Sequence, residues 1–248
     1  MSLPTSPYTS HLAIVLPCFR PPAGWATNII SSLERFQTLL VGKVLIHLYV
    51  VNDGAGADVT EADMDVLRSA LPGRFTYLTY TTNQGKGHAL RKGMAQVQEP
   101  YCLFTDIDFP YQEHSMAAVY NKLIDSGADI VVGVRSNAYY AQVPPARRRV
   151  SRMLRRVTRY VLRLPVEDTQ CGLKAFNSTG RALFLRTTTQ RYLFDLELLF
   201  LASRIRHLRV LAQPVELKPG VIFSRLNPRI LLTETGNLVR ILSRRHRL

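Results

Sequence analysis

The sequence has only three cysteines and no apolar run long enough to cross a membrane. Cys18, Cys102 and Cys171 are scattered along the chain, which excludes a closely spaced zinc motif and a disulfide framework and predicts a reducing, cytosolic environment. No segment reaches the roughly 18 to 20 apolar residues that a membrane-spanning helix needs. Residues 1–10 lack the features of a signal peptide, and we expect them to form a flexible N-terminus.

The sequence does contain an alternation of strand-like and helix-like segments. It has 248 residues, of which 46% are hydrophobic, and this suits one large α/β domain with a sizeable core. Apolar, β-branched runs alternate with segments of helical spacing, and the runs lie at residues 11–16, 44–51, 75–80, 101–104 and 129–133. This alternation predicts an α/β fold with a mostly parallel, doubly wound sheet and helices on both faces.

The two halves of the chain carry opposite net charges. Residues 1–134 contain 9 Lys or Arg and 12 Asp or Glu, a net charge of −3, whereas residues 135–248 contain 23 and 6, a net charge of +17. A strongly basic segment attracts anionic partners such as nucleic acid, a membrane surface or a phosphorylated substrate. Composition alone does not choose among these partners.

Two aspartates, Asp106 and Asp108, directly follow the apolar run at residues 101–104. In an open α/β sheet the ligand crevice lies beyond the carboxyl ends of the strands, so both carboxylates are expected at that edge. Hard carboxylate oxygens suit Mg²⁺ or Mn²⁺, with phosphate oxygens and water as further ligands. Two acids at a strand end are also typical of a solvated turn, so the pair alone does not establish a metal site.

A second candidate site is the loop Gly85-Lys86-Gly87, which opens a helix. Its glycines allow close backbone approach, and its lysine and the helix N-terminus suit the anionic part of a nucleotide. The loop lacks the spacing of a Walker A motif. A single loop of this kind is also typical of a plain turn.

The basic half contains two amphipathic segments. The first, at residues 144–164, carries apolar residues at helical spacing and arginines over its remaining surface, and the second lies within residues 226–248. Such a pattern is typical of a helix that packs on a core and exposes its charged face. It is equally typical of a helix that lies on an anionic membrane, with arginines reaching the lipid phosphates.

Seven segments carry a resemblance to a known family. They are VLPCF (15–19), VVNDG (50–54), NQGKGHALRKGM (83–94), TDIDFP (105–110), VVGVRS (131–136), EDTQCGLKAF (167–176) and FDLELLFLA (194–202). In this order they resemble glycosyltransferase family 2, which has the GT-A (Rossmann-like) fold, and within it the dolichyl-phosphate glucosyltransferase and dolichyl-phosphate mannose synthase branch. The resemblance spans about residues 11 to 240, and the number and order of the segments make it specific.

The resemblance implies a metal-dependent, inverting transfer of a hexose from a nucleotide sugar to a polyprenyl (dolichyl-type) phosphate. UDP-glucose is favoured as the donor, with GDP-mannose next, and Mg²⁺ or Mn²⁺ is the implied cofactor. The implied metal ligands are Asp106 and Asp108. The implied contacts of the nucleotide sugar, with Asp53 bonding the base, are Pro17, Phe19, Asp53, Lys86 and Asp106.

The resemblance also assigns the acceptor side of the site. The implied ligands of the acceptor phosphate are Arg135, Arg147, Ser151 and Gln170, and the acids expected to close the acceptor side are Asp195 and Glu197. The residues expected to act in catalysis are Asp106, Asp108, Arg135 and Asp168. An acceptor phosphate is already anionic at neutral pH, so a strong general base is hardly needed.

Three positions depart from the family pattern. Arg20-Pro21 replaces an Asn-Glu pair that contacts the ribose, and Asn52 replaces the first acid of the D-D-G turn. Pro110 stands where the mannose synthases have a glutamine metal ligand. Substrate oxygens, water or another residue must therefore complete the metal shell. The C-terminal membrane spans of some family members are also missing from this sequence.

These inferences predict a GT-A domain over residues 11–225, with residues 144–164 facing the acceptor and the membrane, and a C-terminal helix and tail over 226–248. We expect a cytoplasmic protein that associates peripherally with an anionic membrane surface and does not bind nucleic acid. One alternative is a family 2 transferase with a soluble glycan acceptor, against which the arginine-rich helix argues. Another is a basic, non-enzymatic nucleic-acid-binding protein, against which the lack of a recognised reader motif argues.

Overall fold

A computed structural model describes residues 10–135, 149, 152, 166, 168–220 and 236–238 of the chain. The strands within these ranges are β1 (Ser10–Cys18), β2 (Val44–Asp53), β3 (Phe75–Tyr80), β4 (Tyr101–Phe104), β5 (Ile130–Arg135), β6 (Lys174–Asn177) and β7 (Val210–Val215). The α-helices there are α1 (Trp25–Thr38), α2 (Glu61–Ala70), α3 (Lys86–Met94), α4 (Glu113–Ser126), α5 (Ser178–Leu185) and α6 (Phe194–Ala202).

The strands form one sheet in the order β3-β2-β1-β4-β6-β5-β7. Strand β1 is parallel to β2 and β4, β2 is parallel to β3, and β5 is parallel to β7. The mostly parallel, doubly wound sheet predicted from the sequence is therefore confirmed. Strands β6 and β7 were not predicted, and β6 runs antiparallel between β4 and β5.

Helices cover both faces of the sheet, as predicted. One apolar cluster joins α1, α2 and α4 to one face of β1, with residues such as Phe36, Leu67, Met116 and Ile14. A second cluster joins α3, α5 and α6 to the other face. Because the central strands are buried on both sides, their sequences are continuous apolar runs rather than alternating ones.

The order of the strands locates the ligand crevice. From β1 the chain proceeds outward to β2 and β3, and then returns to β4 on the opposite side of β1. The strand order thus reverses between β1 and β4, which is where open α/β sheets bind ligands at their carboxyl edge. Val15 pairs with Phe104, so the loops that follow these two strands meet at that edge.

The predicted basic segments at residues 144–164 and 226–248 lie largely outside the described residues. Arg149 and Arg152 are helical and exposed, in agreement with the charged face predicted for the first segment. Of the helices that the structure describes, none has the length and apolar character to cross a membrane. The predicted domain boundaries stay predictions.

Candidate active site

Lys86 and Asp106 form an ion pair at the carboxyl edge of the sheet. The Lys86 Nζ atom donates to Asp106 Oδ1 at 2.5 Å. Burial lowers the pKa of the Lys86 ammonium, but the carboxylates of Asp106 and Asp195 outweigh burial and raise it. Gly172 touches the same pair, because a Cβ built on it would lie 2.6 Å from Asp106 Oδ2. Three sequence segments that are far apart along the chain therefore meet at Asp106.

Asp108 is exposed at the turn that follows Asp106. The next residue, Phe109, is buried with a φ of 46°, a left-handed conformation that bulky residues rarely adopt. Its amide donates to the Asp106 carbonyl at 3.0 Å, which closes the turn and directs Asp108 outward. Partial burial and the negative charge of Asp106 raise the pKa of Asp108.

The two aspartates fit a cation that is shared with a substrate. Among the residues that the structure describes, no group of three or more His, Cys, Asp or Glu side chains could hold a metal ion. Asp106 is already paired with Lys86, so Asp108 is the more available of the two carboxylates. Two carboxylates supply hard oxygen ligands that suit Mg²⁺ or Mn²⁺, with phosphate oxygens and water completing the coordination shell.

Asp53 holds the loop that leads into α3. Its carboxylate is buried and accepts hydrogen bonds from the amides of Gln84 and Gly85 at 2.7 and 2.9 Å and from Asn83 Nδ2 at 2.8 Å. The predicted contact between Asp53 and a nucleotide base is not supported by this arrangement, because the carboxylate faces the loop. Asp53 instead positions Lys86 by fixing the backbone directly before it.

The N-terminus of α3 is occupied by a neighbouring loop. The amides of Gly87 and His88 donate to the carbonyls of Arg191 and Gln190 at 3.2 and 3.0 Å. The expectation that this helix N-terminus receives an anionic nucleotide group is therefore not supported. The absence of a Cβ at Gly87 permits the contact, since one built there would lie 2.5 Å from the Thr189 carbonyl oxygen.

Arg91 and Glu197 both hold that neighbouring loop, residues 187–191, by hydrogen bonds. Arg91 of α3 donates to Thr187 Oγ1, to the Thr189 carbonyl at 2.7 Å and to the Gln190 side chain. Glu197 of α6 accepts from Thr188 N, Thr188 Oγ1 and Thr189 N at 2.8 to 2.9 Å. Burial raises the pKa of Glu197, but these hydrogen bonds outweigh burial and lower it.

Arg135, at the end of β5, forms a bidentate ion pair with the buried Asp168. Asp168 Oδ2 accepts from both the amide and Nε of Arg135 at 2.9 Å, and Oδ1 accepts from Nη2 at 2.7 Å. Asp168 is 4% exposed, and its two oxygens are committed to the arginine. Its predicted part in catalysis stays a prediction, and these bonds favour a part in positioning Arg135, since a carboxylate held in this way is poorly placed to take a proton from a substrate.

Asp195 pairs with a lysine that the sequence analysis missed. Lys174 is 0% exposed, and its Nζ lies 2.6 Å from Asp195 Oδ1. Burial raises the pKa of Asp195, while the charges of Lys174 and Lys86 lower it in part. Asp195 and Glu197 are both buried inside α6, so the prediction that they face the acceptor is not supported. The available signal was a lysine within the otherwise apolar run CGLKAF.

Tyr111 joins the turn after β4 to the acceptor-side loop, which we define as residues 168–172. Its hydroxyl accepts from the Gly172 amide at 2.9 Å and lies 3.3 Å from Cys171 Sγ. Burial raises the pKa of Tyr111 well above its ordinary value, so the hydroxyl stays protonated. No pattern in the sequence marks this contact, which depends on two loops meeting in space.

The carboxyl end of β1 presents an exposed aromatic side chain. Phe19 is 43% exposed, and the Arg20 guanidinium lies 5.2 Å from its ring centroid. Pro17 pairs with Val51, next to Asn52. The Asn52 side chain donates to the Tyr77 hydroxyl and accepts from the Ala55 amide, so it stabilises its own turn. The predicted nucleotide contacts Pro17 and Phe19 thus lie at the crevice edge.

The remaining predicted residues concern the acceptor. Gln170 lies in the acceptor-side loop, and its buried Nε2 has no hydrogen-bond partner among the described atoms. Arg147 and Ser151 lie outside the described residues, so their roles stay predictions. The structure brings Lys86, Asp106, Arg135, Asp168 and Gln170 to one edge of the sheet through the contacts given above.

The sequence matches a known family and several known proteins. Residues 14–192 match the family described as glycosyl transferase family 2. The chain is 27% identical over 180 residues to dolichyl-phosphate beta-glucosyltransferase of Saccharomyces cerevisiae, covering 64% of this chain and 53% of that protein. It is 26% identical over 218 residues to the Drosophila melanogaster protein of the same name, covering 83% and 66%. The chain thus spans between half and two thirds of the length of these relatives.

Comparison with solved structures supports the predicted GT-A fold. The fold resembles glucosyl-3-phosphoglycerate synthase from Mycobacterium tuberculosis in complex with UDP, with a TM-score of 0.67 and 18% identity over 95% of this chain and 80% of that one. The complex of that enzyme with Mn²⁺, UDP and glucosyl-3-phosphoglycerate gives 0.62 and 17% over 94% and 79%. Mannosyl-3-phosphoglycerate synthase from Rubrobacter xylanophilus gives 0.67 and 14% over 95% and 74%. At these identities the likeness establishes the fold alone.

Proposed function

The chain belongs to glycosyl transferase family 2, and we propose that it transfers a hexose from a nucleotide sugar to a polyprenyl phosphate of the dolichyl type. The transfer would invert the configuration at the anomeric carbon and would require a divalent metal. The observation that carries this proposal is the pairing of two cations, Lys86 and Arg135, with carboxylates at one sheet edge. Such fixed cations suit a reaction in which the leaving group is a diphosphate and the acceptor is a phosphate. The named activity of the curated relatives supports the polyprenyl acceptor.

The donor side of the reaction would use Lys86, Asp106 and Asp108. Asp108, with Asp106, would hold Mg²⁺ or Mn²⁺, which would neutralise the diphosphate when bound. Lys86 would add a second positive charge near the leaving nucleoside diphosphate, and Asp53 would fix its position through the loop before it. The base would lie against Pro17 and Phe19 at the end of β1, where the exposed ring offers a stacking surface.

The acceptor side would use Arg135 and Gln170. An oxygen of the acceptor phosphate attacks the anomeric carbon, and the bond from that carbon to the diphosphate oxygen breaks with its electrons going to the leaving group. The nucleophile is already anionic, so the chain needs no general base, in keeping with carboxylates that are turned inward. Arg135 would orient the acceptor phosphate, and most of the rate gain would come from positioning and charge neutralisation.

Further parts of the proposal rest on sequence. Arg147 and Ser151 would complete the acceptor phosphate site, and the basic segments would hold the protein on an anionic membrane from the cytoplasmic side. UDP-glucose is the proposed donor, ahead of GDP-mannose, in agreement with the glucosyltransferase names of the relatives and with the UDP in structures that share the fold. The proposed domain covers residues 11–225, with a basic C-terminal helix and tail after it.

A transfer assay with two donors and three acceptors tests this proposal. The purified chain is incubated with labelled UDP-glucose or GDP-mannose and with polyprenyl phosphate in detergent, a soluble phosphate such as 3-phosphoglycerate, or a neutral glycan, each with Mn²⁺ or with EDTA. We expect transfer from UDP-glucose to the lipid phosphate only when the metal is present. Transfer to a soluble acceptor alone, or full activity in EDTA, contradicts the proposal.

Binding of the nucleotide tests the donor separately. Ligands that bind only the folded state raise the unfolding temperature, so UDP with Mn²⁺ should stabilise the protein more than GDP with Mn²⁺. Stabilisation by GDP alone would reverse the proposed order of donors. This measurement does not depend on the acceptor.

A further inference from the structure

Lys174 is a fully buried cation at the start of the only antiparallel strand that the described part of the sheet contains. Lysine is almost never fully buried unless it is paired, because removing an ammonium from water is costly. Its neighbours in β6, Ala175 and Phe176, are apolar and give no reason for a charge at this position. A buried lysine here therefore points to a specific set of partners.

The Lys174 ammonium donates to two carbonyls of the acceptor-side loop and pairs with one acid. Its Nζ lies 2.7 Å from the Cys171 carbonyl oxygen, 3.1 Å from that of Thr169 and 2.6 Å from Asp195 Oδ1. Two of the three N–H donors of the ammonium reach the loop carbonyls, and the Asp195 carboxylate balances its charge. The lysine thus ties the acceptor-side loop from within the core to helix α6.

The acceptor-side loop carries three contacts of the candidate site. Asp168 at its start holds Arg135. Gly172 at its end packs on Asp106. Gln170 lies between the two carbonyls that Lys174 binds, and its buried Nε2 has no partner in the part of the chain that the structure describes. A buried amide nitrogen without a partner is costly, so Gln170 is a residue of this loop whose donor the described atoms leave unused.

We propose that Lys174 is a positioning residue that sets the acceptor-side loop, and with it Gln170 and Asp168, for the acceptor phosphate. Lys174 pairs with Phe104 across β4 and β6, and its Nζ atom lies 5.5 Å from the centroid of the Phe104 ring, beside the strand that leads to Asp106. Lys174 does not touch the substrate, and its effect passes through the Thr169 and Cys171 carbonyls. This inference rests on the proposed function, because that function defines the acceptor side.

Two matched double variants separate positioning from simple stability. Lys174→Met with Asp195→Asn removes both charges and every N–H donor of the lysine, and leaves no charge unpaired. Lys174→Gln with Asp195→Asn removes the same charges but keeps two side-chain N–H donors for the loop carbonyls. Glu99→Gln is the control, since it alters a partly buried acid bonded to Tyr49 and His47 at the opposite edge of the sheet.

We expect the Met double variant to raise the KM for polyprenyl phosphate roughly tenfold or more, because small misplacements of positioning groups are costly. The KM for the nucleotide sugar should change less than the acceptor KM, because Lys86 keeps its ion pair with Asp106 when the charge of Asp195 is removed. The Gln double variant should recover part of the acceptor KM, and the control should match wild type. Equal increases in both KM values, or equal effects of the Met and Gln variants, would overturn the proposal.

Hydrogen exchange gives a result that does not depend on the reaction. In the Met double variant, amides of residues 168–172 should exchange faster, while those of β1 and β2 should be unchanged. Unchanged exchange in this loop overturns the proposal even if activity falls. If wild-type protein fails to transfer to polyprenyl phosphate, the proposed function fails, and hydrogen exchange alone then decides whether Lys174 holds the loop. If the Met double variant does not fold, the Gln double variant decides by the same comparisons, with an unchanged acceptor KM and unchanged exchange contradicting the proposal.

Discussion

Asp168 accepts three hydrogen bonds from one residue, Arg135, through its backbone amide and two guanidinium nitrogens at 2.7 to 2.9 Å. A bidentate arginine–carboxylate pair fixes the plane of the guanidinium as well as its position. Because the backbone amide takes part, the orientation of the arginine is tied to the end of β5. The Asp168 carboxylate and the backbone at the end of β5 therefore set the orientation of the Arg135 guanidinium.

Replacing Asp168 by Asn tests whether this acid positions Arg135 or acts as a base. We expect transfer to fall roughly 100-fold, because misplaced catalytic groups are costly, while the pH dependence of the remaining activity keeps its wild-type shape. A general base that was removed would take one limb of the pH–rate profile with it. The measurement is kcat against pH, and the loss of one limb of the profile in the variant would show that Asp168 acts as a base.

Replacing Asp108 by Asn tests the metal site. The side chain is exposed, so we expect the unfolding temperature to stay close to that of wild type while transfer is nearly abolished. Binding of Mn²⁺, followed by the loss of its free electron paramagnetic resonance signal, should weaken in the same variant. Wild-type activity in the variant, or wild-type Mn²⁺ binding, would contradict the assignment of Asp108 as a metal ligand.

Replacing Gly172 by Ala tests the contact between the acceptor-side loop and the Lys86–Asp106 pair. The new Cβ would lie 2.6 Å from Asp106 Oδ2 and 3.3 Å from Lys86 Nζ, so one of these groups must move. We expect a loss of activity of roughly tenfold or more, with a weaker affinity for UDP with Mn²⁺ in a titration. Unchanged nucleotide affinity and activity would show that the pair tolerates displacement.

The ion pairs of Glu113 predict a pH dependence of stability. Partial burial raises the pKa of this carboxyl, but hydrogen bonds and charges from Lys218 and Arg35 outweigh it and lower the pKa to about 2. The pKa is lower in the folded state, so the stabilisation is present above the unfolded value of 4.5 and is lost as the pH falls toward about 2.

Glu113→Gln should therefore reduce the free energy of unfolding by about 1 kcal/mol at pH 7. The pairs are partly exposed, which limits the effect. The difference between wild type and variant should shrink between pH 4.5 and about 2. Urea unfolding at several pH values measures it, and a constant difference over this range would contradict the assignment.

Binding to lipid vesicles tests the predicted basic segment at residues 144–164. Binding should increase with the fraction of anionic lipid and decrease with salt, because ions screen surface charge. Replacing Arg148, Arg152 and Arg155 by Gln should weaken vesicle binding and leave the affinity for UDP unchanged. Leu154→Asp separates a core-packed stripe, which would unfold, from an interfacial one, which would stay folded and leave the vesicles. Wild-type protein that ignores anionic vesicles at low salt contradicts the membrane proposal.

The order of elements from β1 to β5 could be predicted because it depends on local patterns. The apolar runs mark each strand, and observed strands such as Val44–Asp53 and Ile130–Arg135 lie within a few residues of the predicted runs at 44–51 and 129–133. The place of Asp106 and Asp108 also followed from the sequence, since parallel strands direct their carboxyl ends to one edge. Strand β6 was missed because a four-residue segment that begins with Lys174 shows no strand pattern.

The bonding partners of four acids were decided only by the tertiary structure. By residue type and resemblance, Asp53, Asp168, Asp195 and Glu197 were expected to face substrates, and each instead holds a loop or a buried cation through the bonds described above. Several of their partners lie far away in the sequence, as with Arg135 and Asp168, which are 33 positions apart, whereas Glu197 bonds Thr188 and Thr189, 9 and 8 positions before it. A buried carboxylate must find donors because leaving it unpaired is costly. The sequence thus determined that acids accumulate near this sheet edge, whereas the packing of loops against one another determined which donor each acid meets.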